Sequence, residues 1–267
     1  MKALLGTNAK INEVDLVLCR ATLYGALALG FRPPTEETMA RLVSEEGTSA
    51  LADAAIVLDG DHELELARHV KTLALAGATT VEDLFASYRR IFGHTASSLV
   101  PPYETEYGTE AVFQQPLELG DLMGFYRAFG LTLNPAEHER ADHVSCECEF
   151  LSFLALKEAY ALEKGDLPMQ EEIRKATRLF LRDHLARFVP TCARRLSRED
   201  RGGFYSALGD LCSRFISKEC ARFTLPVGTD NLGLRPAADN RIPMACGSDT
   251  ACPAMPGACR PAGEGEE

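Results

Sequence analysis

Apolar residues recur at three- and four-residue spacing along most of this chain, and nowhere does a convincing run of alternating β-branched residues appear. That combination excludes a sheet and predicts an all-α protein. Leu16, Leu23, Leu27 and Phe31 fall on one stripe of a first helix that stops at Pro33-Pro34. Thr35 is placed to cap a second helix, with Glu36 and Glu37 in its first turn, where the helix dipole favours negative charge. Short helices are predicted over 49–58 and 62–75, broken at Gly60 and Gly77, and another from Thr80 to about Phe92. Pro116 suits the first turn of a helix that runs to Phe129 and ends at Gly130. Longer helices follow over 141–164, 171–189 (closed by Pro190) and 201–221.

This pattern predicts about nine or ten helices in two subdomains spanning 1–222, with a hinge near 131–140 around Asn134 and Pro135. From Phe223 the composition changes. The last 45 residues hold six of the 14 prolines and six glycines, so 223–267 are expected to be a flexible tail with no core of its own.

With 39 acidic and 28 basic residues, the net charge of −11 argues against nucleic acid or anionic lipid as a partner and favours a cationic one. The opening MKALLGTNAKINEVD lacks the apolar core and cleavage site of a secretory signal. The first strongly apolar stretch, Val14 to Phe31, is interrupted by Asp15 and Arg20, so no membrane insertion is expected and the chain is placed in the cytoplasm. Of the nine cysteines, the six before the tail then read as reduced thiols, mostly packing as small hydrophobes.

Few patterns carry chemistry. His143, Cys146 and Glu147 stand at i, i+3 and i+4, a spacing able to chelate a metal but short of a full ligand set. Cys246, Cys252 and Cys259 are spaced more widely than structural zinc ligands. A metal- or redox-active helical protein built on either set is the rival reading, and a helical scaffold without a peptide site is a second. Glu147 and Glu149 are two residues apart on a helix, about 200° around its axis, so they are no catalytic carboxylate pair. No phosphate loop, nucleophile elbow or Cys-x-x-Cys pair occurs, and neither cofactor nor bound metal is expected.

Three segments stand out in order: Val100-Pro-Pro-Tyr-Glu-Thr-Glu-Tyr107; Glu139-Arg-Ala-Asp-His143 followed by Glu147, Glu149 and Phe150; and Phe180-Leu-Arg-Asp-His-Leu-Ala-Arg-Phe-Val-Pro190. Together they resemble the conserved blocks of the TorD/DmsD/NarJ family of redox-enzyme maturation chaperones, over about residues 10–222. Cys148 stands where that family usually has leucine and Phe188 where it often has tryptophan; both exchanges keep an apolar side chain.

The resemblance implies a non-enzymatic chaperone, monomer or homodimer, that binds the apo catalytic subunit of a molybdopterin-containing oxidoreductase and its twin-arginine signal peptide. The residues it implies for peptide binding are Asp142 and His143, with Glu139, Tyr103, Glu104 and Glu147. Read from the residues alone, Asp142 is equally a cap for the helix that His143 begins, and Tyr103, Glu104 and Tyr107 are equally parts of a packed connecting loop.

Overall fold

The computed structural model describes residues 12–60, 64–93, 98–108, 114–134 and 139–235. Among these, ten α-helices follow one another: α1 (Glu13–Gly30), α2 (Glu36–Val43), α3 (Glu45–Asp59), α4 (Glu65–Ala76), α5 (Val81–Phe92), α6 (Gln114–Ala128), α7 (Val144–Lys164), α8 (Leu167–Phe180), α9 (Ala186–Glu199) and α10 (Phe204–Arg222). No strand occurs among the described residues, only the isolated bridges Tyr103–His143 and Tyr107–Leu234. The all-α reading holds. No helix among them is long and apolar enough to cross a membrane.

Local chemistry explains most of the boundaries. Thr35 and Thr80 accept hydrogen bonds from the third backbone N–H of α2 and α5, as their positions predict. Helix α3 begins earlier than its apolar pattern indicates, because Ser44 caps Gly47 and places Glu45 and Glu46 in the first turn. Helices α8 and α9 form one rod, joined by a π-turn at Leu181–Leu185. Pro190 therefore does not end a helix. It sits inside α9, one turn beyond the place where the ladder has already widened.

Residues up to Arg235 form one compact unit. Helix α7 lies along α1, and α10 lies against both α9 and α4. Helices from before and after the hinge expected at 131–140 pack on one another, and residues 135–138 of that hinge lie outside the described ones. Small side chains allow the close α1–α7 approach: Ser152 donates to the Ala21 carbonyl at 2.9 Å, next to Gly25. Tyr24 meets Phe215 edge-on at 4.7 Å, and Phe92 meets Tyr205 at 5.2 Å, so α1 and α5 both pack against α10 through aromatic contacts. Cys148 and Phe188 are fully buried, in keeping with the apolar roles read for them.

The chain does not leave this unit at Phe223. Leu225, Leu232 and Leu234 pack against the core edge, and Arg235 is buried. The boundary expected at 222 falls instead after Arg235, and the tail cysteines lie outside the described residues.

Candidate functional site

The three sequence blocks meet around the start of α7. Val144 N–H donates to the Pro102 carbonyl at 2.8 Å, and Glu104 N–H donates to the Asp142 carbonyl at 2.9 Å. The Pro-flanked loop is thereby zipped to the segment entering α7. Tyr107 closes the loop on itself through its hydroxyl, which donates to the Pro101 carbonyl at 2.7 Å.

Asp142 is the centre of this corner. Its carboxylate, wholly buried, accepts from the Thr105 hydroxyl at 2.7 Å, from Thr105 N–H at 3.2 Å, and from Arg140 Nε and Nη2 at 3.0 and 2.8 Å. Arg140 also reaches Glu106 at 3.0 Å and lies 4.4 Å over the Tyr103 ring. Asp142 does pair with an arginine, but with one from its own chain. Nor is it the helix cap. That role belongs to His143, whose Nδ1 accepts from Ser145 N–H at 3.1 Å.

The His143 ring is buried, meets Tyr103 edge-on at 5.3 Å, and has Nε2 3.8 Å from Glu139. Burial, with the nearby charges of Arg32 and Arg140, pushes its pKa down to about 3, so the imidazole is neutral.

Glu104 points the other way, into the third block. It accepts from His184 Nδ1 at 3.0 Å and faces Arg187 at 3.3 Å. His184 Nε2 lies 3.2 Å from Asp121, off the line of a hydrogen bond. Behind both motifs, Glu147 is fully buried with neither oxygen hydrogen-bonded. Burial, reinforced by Glu104 and Asp142, raises its carboxyl well above the usual range and so favours the neutral form. The hydrogen bond to His143 that its i+4 spacing allows is not formed. Glu149 is exposed on the opposite side of α7, as the 200° separation requires. Among the described residues no group of three metal-binding side chains comes together.

The open part of the site lies beside this corner. A pocket of about 380 Å³ is walled by Tyr126, Leu131, Leu133, Phe150 and Phe153, with Glu139, Glu149, Cys146 and Arg32 also among its lining residues. Glu149 is paired with Arg32 at 2.6 Å. The Tyr126 hydroxyl donates to the Ala141 carbonyl at 2.8 Å, tying the pocket wall to the segment that carries Asp142. Cys146, half-buried here, has its thiol pushed up to about 11, chiefly by burial, and so is no reactive thiolate. Of the six residues expected at the site, Glu139 lines the pocket. Tyr103, Asp142, His143, Glu104 and Glu147 are not among its lining residues and stand in the adjoining corner. Sequence reasoning missed Arg140 and Thr105, the partners of Asp142, although both stand inside the motifs.

The site is thus a mostly apolar pocket beside a charge-compensated corner, both carried by an all-helical unit. Comparison with known proteins narrows the class. Residues 58–194 match the family described as nitrate reductase delta subunit. The chain is 27% identical over 220 residues to the perchlorate reductase assembly chaperone protein of Dechloromonas aromatica, covering 79% of this chain and 93% of that one. It is 31% identical over 183 residues to the chlorate reductase assembly chaperone protein of Ideonella dechloratans (68% and 79%), and 25% identical over 139 residues to the chaperone protein TorD of Photobacterium profundum (52% and 63%). The chain belongs to this family of TorD- and NarJ-type proteins, whose relatives named here are chaperone proteins.

Proposed function

We propose that this protein is a dedicated, non-enzymatic assembly chaperone for the catalytic subunit of a molybdopterin-containing oxidoreductase. It acts in the cytoplasm, holding a segment of the apo subunit, its twin-arginine signal region, until the cofactor is inserted. The observation that carries this reading is the pocket beside α7. Its aromatic and aliphatic walls suit the apolar part of a signal segment, and the Glu139 carboxylate at its edge suits a guanidinium group. In this reading Glu139 touches the client, Asp142, His143 and Tyr103 set the position of Glu139, and Glu104 and Glu147 support that frame from behind. The net charge of −11 favours encounter with a cationic segment.

Co-expression with the catalytic subunit tests it. The apo subunit should co-purify with the wild-type chain, and co-purification should fall when Phe153 is changed to Asp. A catalytic subunit that matures to full activity without this chain, and never associates with it, sinks the proposal.

A further inference from the structure

Residues 224–235 run from the end of α10 across α9 to the Tyr103–Gly108 loop, and their anchorage is mostly backbone. Gly228 N–H donates to the Ala186 carbonyl at 3.0 Å. The Thr191 hydroxyl donates to the Thr229 carbonyl at 2.9 Å and accepts Leu232 N–H at 2.8 Å. Gly108 N–H donates to the Gly233 carbonyl, and Arg235 N–H to the Glu106 carbonyl, both at 2.8 Å. Such contacts fix the path of a strand while asking little of its side chains.

One charged side chain is sunk. The Arg235 guanidinium forms a forked pair with Glu118, Nη1 at 2.9 Å and Nη2 at 3.0 Å, and Nη1 also donates to the Thr105 carbonyl at 2.7 Å. This socket is built from the same loop that Asp142 locks. Without Arg235, Glu118 and Glu104 would share the single cation Arg187, with Asp121 close to His184 beside them, leaving an excess of negative charge. The segment also begins under strain: Thr224, a β-branched residue, has φ of +55°.

We propose that this groove is a site for an extended, arginine-bearing peptide segment, and that residues 228–235 are its built-in occupant, exchanging with a client segment of the same chemistry. The inference rests on the chaperone reading and adds to it a second contact guarded by an internal competitor. Backbone pairing would accept varied sequences, while the Glu118 socket would select arginine over lysine, because only the guanidinium forms the fork.

The probe is a labelled peptide with the sequence of residues 224–235, and a control ending in Gln. Full-length Arg235→Ala should bind the arginine peptide about tenfold or more tightly than the wild type, whose groove is occupied. The gain should vanish with the Gln-ended control and in Arg235→Ala combined with Glu118→Gln. Equal binding by wild type and Arg235→Ala, or binding indifferent to the terminal arginine, overturns the proposal. Amide exchange of the wild-type chain gives a reading that depends on no variant. The amides of Gly228, Leu232 and Arg235 should exchange at least about a hundredfold faster than those inside α9. Exchange of those amides only through global unfolding overturns the proposal as well. Co-purification of the client by the wild-type chain decides the chaperone reading separately, so either idea can fail without the other.

Discussion

Gly228 supplies to the Ala186 carbonyl the hydrogen bond that Pro190, four residues further along α9, has no N–H to make. The proline is therefore not a helix end. It opens one acceptor on the outer face of the rod, and the chain returns from α10 to fill it. The fit is tight: a Cβ on residue 228 would lie 2.2 Å from the Arg187 carbonyl oxygen and 2.7 Å from that of Ala186.

Gly228→Ala is accordingly expected to lift residues 226–235 from α9 while leaving the helices intact. Losing the bonds made by Gly228, Thr229 and Leu232 should cost about 1–3 kcal/mol. Hydrogen exchange checks the first point, with faster exchange at Leu232 and Arg235 and unchanged protection in α1 and α7. Urea unfolding checks the second. Unaltered strap protection would show that the backbone yields to accommodate the methyl group.

Replacement of Asp142 separates the roles read for it. A helix cap would cost about 1 kcal/mol when removed. A buried acceptor shared by Arg140 and Thr105 should cost more, about 2–4 kcal/mol for Asp142→Ala, tempered because Arg140 is partly exposed and keeps Glu106. Asp142→Asn, which retains an acceptor for Thr105, should recover part of that loss. Equilibrium unfolding of both variants decides, and a loss near 1 kcal/mol in each would return Asp142 to a peripheral role.

Much of this was legible in the sequence because helices advertise themselves. The caps at Thr35 and Thr80, and the opposed faces of Glu147 and Glu149, follow from periodicity and side-chain chemistry alone. The misreadings share a cause, which is contact between distant segments. Pro190 looks like a terminator until the π-turn before it and Gly228 opposite it are known. Asp142 looks like a cap because its true partners, Thr105 and Arg140, are joined to it by a loop 37 residues away in the chain and by a backward turn. Residues 223–235 look like tail because Leu225, Leu232 and Leu234 have no helical spacing, and backbone pairing leaves no side-chain signature. The one available clue was Arg235, a single arginine closing a Gly-Leu step.

Two buried groups at this corner give opposite pH dependences. His143 has its pKa lowered from 6.5 to about 3, so the stability from its neutral burial is full above about 6.5 and is lost as pH falls towards 3. Glu147 has its pKa raised above 4.5, so its contribution is full below 4.5 and is lost as pH rises through its folded value. Glu147→Gln keeps the shape and removes the titration. The variant should therefore gain stability relative to the parent as pH rises above about 4.5, until the folded-state value of Glu147 is passed. His143→Gln should flatten the acid side below about pH 6.5 instead. Urea midpoints measured across that range test both signs, and a constant difference between parent and Glu147→Gln would mean that Glu147 is ionised and solvated.

Glu139 is where direct client contact is expected, because its partly exposed side chain lines the pocket while Asp142, Glu104 and Glu147 are buried outside it. Asp142 is engaged by Arg140 and Thr105, Glu104 is buried against His184 and Arg187, and Glu147 is enclosed. Glu139 has a partly exposed side chain and lines the pocket beside Phe150 and Phe153. A charge-assisted hydrogen bond from a client arginine to it is worth about 1.5–3 kcal/mol, which corresponds to about a tenfold to hundredfold change in affinity. Glu139→Gln should weaken a labelled twin-arginine peptide by that factor with a melting temperature within a degree or two of the parent, since a partly exposed carboxylate contributes little to the fold. Higher salt should erase part of the difference, because a rim carboxylate is screened where a buried pair is not. Should Glu139→Gln bind the peptide as the parent does, at low salt and with its fold intact, the arginine contact must be sought at Glu149 or in the Glu118 socket.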